Sequence, residues 1–313
     1  MVLVSVALCT YNGEKFIRKQ INSILSQTYK NIEVVIVDDA SSDSTLNIIE
    51  EFTKRDARIK CFRNPANIGF NANFEKAIRL CSGDYIAISD QDDIWLPNKI
   101  QVLLEAIGEN LLVHSNSVFI DENDNVLQKY LIDPSKDIVF HNYKGVLFTN
   151  YVTGHTCLMR KELANKILPF PKQCFYDWWI GFVAAYEQKI VFKNAVLTKY
   201  REHSSSVITQ YREKISNNRY LHYRIEMETV NSHLEAFSMY KNLYAQDKSF
   251  LVDLYRSHKK RQNSFFAFSL FSITYKNFKQ LFPSNDRSGL RKLSFLFRYC
   301  RGKKMLPKSK LKF

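Results

Sequence analysis

No two of the six cysteines form a C-x-x-C pair, which argues against a zinc ribbon or a thiol redox motif. The chain has no G-x-G-x-x-G loop, which argues against a dinucleotide-dependent dehydrogenase. It also lacks G-x-x-x-x-G-K-[ST], which argues against a P-loop ATPase. No apolar run reaches the roughly 18 residues that a membrane-spanning helix needs, and the best candidate, "FFAFSLFSI", is about half as long. The first residues, "MVLVSVALCTYNG", lack the basic n-region and small-residue cleavage site of a signal peptide, and their valines alternate as in a strand. Internal repeats and low-complexity linkers are absent as well. The scattered thiols (Cys9, Cys61, Cys81, Cys157, Cys174, Cys300) point to a reducing compartment, so the expected location is the cytoplasm. Cys9 and Cys81 lie in apolar surroundings and read as small core residues.

What is present is a chain of 313 residues, 45% hydrophobic and 14% aromatic, enough for one large domain with an appendage or for two domains. The formal charge of +14 is unevenly spread. Arg256 to Phe313 holds sixteen Lys and Arg against one acid, Asp286, while the preceding residues balance at −1. The basicity belongs to a C-terminal appendage.

The first hundred residues alternate between two periods. "VLVSVALCT", "IEVVIVDD", "RIKCFRN" and "YIAIS" read as strands. Between them, "EKFIRKQINSILSQ", "SDSTLNIIEEFTKR" (with Ser42 or Asp43 as N-cap) and "NIGFNANFEKAIRLC" read as helices. This order calls for a parallel α/β sheet with right-handed crossovers, in which ligands sit beyond the carboxyl ends of the strands. A helix from Pro97 to about Gly108 and a strand "LLVHSNSVFID" follow. Later, "GHTCLMRKELANKIL" reads as strand then helix, "YDWWIGFVAAYEQ" as a helix from near Asp177, and "KIVF" and "LTKYREHSSSV" as separate strand segments.

Polar loops gather at the predicted strand ends: "TYNG" after the first, Asp38-Asp39 after the second, and Asp90, Asp92 and Asp93 after the fourth. Three carboxylates within four residues repel one another and cannot easily flank a substrate as an acid/base pair. They suit a hard divalent cation, Mg²⁺ or Mn²⁺, that shares its shell with substrate phosphates. The alternative is that Asp90 caps the helix near Pro97 and its neighbours are solvated. For Asp38-Asp39 the alternative is an N-cap on the following helix.

Taken together, "VSVALCTYNGEKFIRKQINSILSQTYKNIEVVIVDDASSDST", "NIGFNANFEKAI" and "SGDYIAISDQDDIWLPNKI" resemble family 2 glycosyltransferases of the GT-A fold, from about Val4 to about Val207. "SDQDD" and "YDWW…YREHSSSV" are similar to a bacterial rhamnosyltransferase-like subgroup acting in surface-polysaccharide assembly. The resemblance implies a Rossmann-like, mostly parallel central sheet flanked by helices, with a C-terminal helical appendage. It implies that Thr10, Tyr11 and Asn12 line a nucleotide pocket, that Asp39 faces the base, and that Asn71 lies in a loop closing over the nucleotide. Asp90 would contact the ribose or sugar, and Asp93 would ligate the metal with Asp92 nearby. His203 would reach the metal or pyrophosphate with Arg201 close by, Asp177 would be the general base, and Trp178 and Trp179 would shape sugar contacts. A base and a metal on separate segments are the minimum for an inverting transfer. The alternatives are a helix N-cap for Asp177, core packing for the two tryptophans and a hydrogen-bonded loop histidine for His203. The chain departs from the commoner Asp-Ala-Asp-Asp form at Gln91, a larger polar residue that bears on donor choice. The other histidines, His155 among them, have no ligand-like spacing and are expected to be structural.

The expected organisation is a glycosyltransferase domain at 1–210 and a helical, basic-aromatic region at 211–313. In the tail, Phe and Leu alternate with Lys and Arg, as in helices that lie in the interface of anionic bilayers. The expectation is therefore a nucleotide-diphosphate sugar donor, a lipid-linked glycan acceptor, and peripheral association with the inner face of the cell membrane. No nucleic-acid partner is expected, although aromatic-basic mixing also suits single strands. The competing readings are a catalytically silent nucleotide-sugar-binding scaffold and a basic nucleic-acid-associated protein.

Overall fold

Strands with near-continuous apolar runs need cover on both faces, and the computed structural model supplies it. It describes residues 1–136, 138–139, 142–203 and 219–305. These fall into two units. The first holds 1–136, 138–139, 151–172 and 176–203, and the second holds 142–150, 173–175 and 219–305. The expected boundary at 210 lies outside the described residues. Two short pieces expected in the first domain, 142–150 and 173–175, group with the C-terminal unit.

In the first unit, β1 (Val4–Thr10) and β2 (Ile32–Asp38) are buried throughout. With β3 (Ile59–Arg63) and β4 (Tyr85–Ser89) they form a parallel half-sheet in the order β3-β2-β1-β4. Helices α1 (Ile17–Leu25), α2 (Thr45–Thr53) and α3 (Phe70–Leu80) are the crossovers. Beyond β4 the sheet becomes mixed. The strand β8 (Cys157–Arg160) runs antiparallel to β4 and to β6 (Leu112–Ile120), and β9 (Ile190–Arg201) runs parallel to β6. The two-residue β5 (Ile94–Trp95) joins β9, and β7 (Val126–Tyr130) hangs off β6. The runs expected as separate strands at "KIVF" and "LTKYR" are one strand, β9, whose register against β6 shifts around Asn116 and so absorbs the polar residues between them. Helices α4 (Lys99–Ile107), α5 (Lys161–Ile167) and α6 (Tyr176–Tyr186) complete the unit.

The cap expected at Ser42 or Asp43 is displaced. Helix α2 starts from Ser44, and Asp43 instead accepts from both the amide and the hydroxyl of Thr45. Neither Asp38 nor Asp39 bonds the helix among the described residues. Asp38 accepts from the amide and hydroxyl of Ser41 and from Thr10. Asp39 accepts from Asn64 and from the amides of Ile68 and Gly69.

The second unit is helical: α7 (Arg219–Ser238), α8 (Ala245–Lys259), α9 (Phe268–Lys276), α10 (Phe278–Leu281) and α11 (Gly289–Tyr299). Leu251, Leu254, Leu270, Phe278, Leu281 and Leu296 are its buried apolar centre. Phe282 packs edge-on against Phe295 and Tyr299, with ring centroids 5.1 and 5.3 Å away.

One buried acid ties the strand starts of the first unit together. Glu33 accepts from Ser5 Oγ at 2.5 Å, Ser82 N at 2.6 Å, Ser82 Oγ at 2.8 Å and Lys60 Nζ at 2.8 Å. Burial alone would raise its pKa, but these donors outweigh it and lower the carboxyl to about 2. A depressed folded-state pKa stabilises above the unfolded value, and that stability is lost as the pH falls toward 2. Glu33→Gln is therefore expected to lower stability by on the order of 2 kcal/mol at pH 7, with the gap closing below about pH 4. Melting curves of both proteins from pH 7 to pH 3 check this, and a gap independent of pH would refute the assignment.

Candidate functional site

Because β2, β1 and β4 are parallel neighbours in register (Thr10 opposite Asp38, Leu8 opposite Ser89), their loops emerge side by side. The loops are pinned to one another. Thr10 donates its hydroxyl to Asp38 at 3.0 Å, Asn12 N donates to Ser41 Oγ at 2.9 Å, and Gly13 N donates to Thr45 Oγ1 at 2.7 Å. Asn12 takes a left-handed backbone, φ 48°, which asparagine tolerates, and its side chain accepts from Ser42 N. Gln91 performs a second pinning. Its amide accepts from Tyr11 N at 2.9 Å and donates to Tyr11 O at 3.0 Å, as a neighbouring strand would. A side chain at Gly13 would collide with it, since a Cβ there would lie 2.2 Å from Gln91 Oε1. Tyr11 remains half exposed on this rim, whereas Thr10 is buried.

The acidic triplet divides. Asp93 is fully buried, and its Oδ1 accepts the amide of Arg201 at 3.1 Å. Its Oδ2 has no hydrogen-bond partner and lies 3.7 Å from His155 Nδ1, which is also buried and unpartnered. Asp90 Oδ2 is also 3.7 Å from that nitrogen. Asp92 turns the other way, onto His203 Nε2 at 2.8 Å, with the His203 ring against Phe16. Arg201 is buried between these features. It donates to the carbonyls of Asp92 and Asp121, pairs with Asp124 at 2.6 Å and stands over Phe16.

His155 is the residue that sequence reasoning missed. It sits on the single turn Gly154–Thr156, which leads into β8, so the antiparallel insertion of β8 beside β4 carries it to the acids. Its Nε2 meets Ser117 Oγ at 2.9 Å and its ring stacks on Tyr200. Beneath it, the buried Lys99 donates to the carbonyl of His155 and to Thr198 Oγ1, and lies over the Trp95 ring.

The electrostatics follow from burial. The Asp93 carboxyl is pushed well above its usual range by desolvation and then by Asp92 and Asp90. Burial lowers Lys99, and Asp93 and Asp90 oppose that shift. Burial also lowers His155, keeping it neutral, while Asp90 opposes. The cluster thus holds two buried polar atoms, Asp93 Oδ2 and His155 Nδ1, that the protein leaves without hydrogen-bond partners. Donor atoms of Asp90, Asp93 and His155 all lie within 4.8 Å of one another. Two ligand atoms bonded at about 2.0–2.2 Å to one divalent ion lie at most about 4.4 Å apart, a limit that the two 3.7 Å separations from His155 Nδ1 meet.

The remaining expected residues surround α6. Asp177 lies half-buried in its first turn and accepts the amide of Trp178 at 2.7 Å. Asn71 accepts from Tyr176 N at 3.1 Å. The Tyr176 hydroxyl is raised by burial first and then by both Asp90 and Asp177, so it lies within the field of each acid. Gly154 makes room for that phenol, because a Cβ there would sit 2.0 Å from the Tyr176 hydroxyl. Trp178 and Trp179 are buried; Trp179 donates its indole N–H to the Ile167 carbonyl and stacks on Phe182.

Comparison with known proteins bears on this geometry. The sequence model described as glycosyl transferase family 2 matches residues 5–168. A Haemophilus influenzae protein named as an uncharacterized glycosyltransferase is 30% identical over 82% of this chain and 87% of its own. WfaP of Escherichia coli, a UDP-Glc:alpha-D-GlcNAc-diphosphoundecaprenol beta-1,3-glucosyltransferase, is 32% identical over 66% of this chain and 80% of its own. Among solved structures, S. aureus TarS 1-349 in complex with UDP superimposes with a TM-score of 0.60 at 18% identity, over 96% of this chain and 88% of that one, which is a likeness of fold.

If the cluster accepts a cation, Mn²⁺ is expected to raise the melting temperature of the full chain. Asp93→Asn should lose that shift, and His155→Ala should weaken the apparent affinity about 10-fold or more. Equal shifts in all three proteins would exclude these residues as ligands.

Proposed function

The chain belongs to glycosyl transferase family 2, and on that premise we propose that it moves a hexosyl unit, with inversion, from a nucleoside-diphosphate donor to a lipid-linked glycan acceptor. The observation that carries the reading is the pair of unpartnered buried atoms, Asp93 Oδ2 and His155 Nδ1, beside Asp90 at the carboxyl end of the parallel strands. A divalent cation held by Asp90, Asp93 and His155 would supply Lewis-acid stabilisation of the departing diphosphate. One imidazole among carboxylates suits Mn²⁺ at least as well as Mg²⁺.

The chain's own groups do the rest. The Tyr11–Asn12 turn, pinned by Gln91 and Ser41, forms the rim against which the nucleotide lies. Asp39 is the acid at the base end of that rim, and its oxygens accept from Asn64, Ile68 N and Gly69 N. Asp177 takes the proton of the acceptor hydroxyl as that oxygen bonds to the anomeric carbon and the bond to the diphosphate oxygen breaks. Its place in the first turn of α6 is the positive end of a helix dipole, which favours an anion. Tyr176 is a positioning residue, since Asn71 fixes its backbone and Phe74 packs on its ring at 4.3 Å. Trp178 and Trp179 act as packing that sets the start of α6. Arg201 and His203 hold the Asp92 side of the loop. The relationship to WfaP makes UDP-glucose the first donor to test and a diphosphate-linked lipid the first acceptor class. An acceptor of that kind would place the protein at an anionic membrane surface.

The test is release of UDP from UDP-glucose with Mn²⁺ and a diphosphate-lipid acceptor. Asp177→Asn is expected to lower kcat by about 10²–10⁴-fold with little change in nucleotide affinity. Turnover that survives in Asp177→Asn removes it as the base. Nucleotide binding without turnover against a panel of UDP-, GDP- and dTDP-sugars would instead favour a silent scaffold.

A further inference from the structure

Inside the helical unit, one face is apolar, exposed and ringed by bases. Residues 264–267 lie alongside 300–304. Ala267 N donates to Cys300 O at 3.0 Å, Gly302 N to Phe265 O at 2.7 Å, and Lys304 N to Ser264 O at 3.2 Å. Gly302 permits this approach, because a Cβ there would sit 2.0 Å from Ser264 O. The pairing brings the start of α9 beside the end of α11. Phe266 touches both Phe268 (4.8 Å between ring centroids) and Phe297 (5.0 Å). Along α11, Leu290, Leu293 and Phe297 follow i, i+3, i+7 spacing and share one side.

None of these side chains is buried by the unit. Leu290 is 84% exposed, Phe268 78%, Phe265 65%, Phe297 45% and Leu293 40%. On the same helix Leu296 is fully buried and supplies the anchor. Bases frame the patch: Arg301 reaches over Phe297 and Lys304 over Phe265, while Arg291 and Arg298 are exposed on α11 itself.

We propose that this face docks on an anionic lipid bilayer, with the leucines and phenylalanines entering the headgroup layer and the bases meeting lipid phosphates. This deepens the reading of a lipid-linked acceptor and rests on it for its biological sense, though not for its physics. Charge selects the occupant. The segment from Arg256 onward has sixteen bases and one acid, so a second copy of the same surface would repel it. Leu290 and Leu293 offer no π-face for a nucleobase, whereas acyl chains accept them. Among the described residues no helix is long and apolar enough to cross a membrane, so contact would be peripheral.

The experiment is sedimentation of the full chain with vesicles of phosphatidylglycerol and phosphatidylcholine in equal parts, against pure phosphatidylcholine. The parent is expected to bind only the anionic vesicles. Leu290→Glu/Phe297→Glu and, separately, Arg291→Gln/Arg298→Gln are each expected to lose about 10-fold or more in apparent affinity. Melting temperatures and the thermal shift with Mn²⁺ and UDP should stay unchanged. Binding by the variants equal to the parent's overturns the proposal, as does equal binding to neutral vesicles. So does a parent dimer that Leu290→Glu/Phe297→Glu makes monomeric without altering vesicle binding, or stronger retention on polynucleotide than on anionic vesicles. Absence of donor turnover in the parent would strike the transfer reading and leave the vesicle result standing, so the two failures separate.

Discussion

A carboxylate buried at the end of a strand is the constraint around which the first unit is arranged. An unpaired buried charge costs several kcal/mol, so Asp93 either takes up a proton or acquires partners. The fold gives it half of what it needs. The amide of Arg201 satisfies one oxygen, Lys99 contributes a positive charge nearby, and the second oxygen is left facing His155 and Asp90. A structure selected for stability alone would replace such a group with an apolar residue of similar volume. Its retention beside two further donors is intelligible when the missing partner arrives from outside.

The sheet topology makes that corner possible. Four parallel strands deliver the Thr10–Asn12, Asp38-Asp39 and Asp90–Asp93 segments to one edge. A purely parallel sheet would offer nothing across from the acids but more strand ends. The antiparallel entry of β8 beside β4 brings in a turn from the opposite direction, and with it His155. β9 then runs back past β6 to present Arg201 at its end, where the guanidinium locks the Asp92 carbonyl. Lys99, at the start of α4, fixes His155 by its backbone, which leaves the imidazole to Ser117 and the acids. Each of these contacts spans elements far apart in the chain.

That distance explains which parts could be read in advance. The strand-helix alternation of the first hundred residues, the helix at Asp177 and the buried Cys9 and Cys81 are local signals of period and burial, and they match the elements found. His155 is not legible because the acids it faces, Asp90 and Asp93, lie more than sixty positions away and no spacing rule spans that gap. The cap of α2 is not legible because "SSDST" offers several competing oxygens, and tertiary bonds with Asn12, Gly13 and Glu14 decide among them. Gln91 stood out in the sequence as an anomaly. Its role as a side-chain mimic of a strand neighbour to Tyr11 depends on the juxtaposition of two loops, which only the sheet order supplies.

The charge distribution carries the last step. A diphosphate carries two to three negative charges and is usually met by arginines, lysines, helix N-termini or a metal. In the first unit, the two cations nearest the acidic cluster are buried and already committed: Lys99 to the His155 carbonyl and Thr198, Arg201 to two carbonyls and Asp124. The chain's surplus of positive charge lies after residue 256, while the residues before it are close to neutral. On the proposed reading the protein divides its electrostatic work accordingly. Phosphate recognition at the strand ends rests on an exchangeable cation gathered by Asp90, Asp93 and His155. The fixed cations of the helical unit address a surface too extended for any single ion to neutralise.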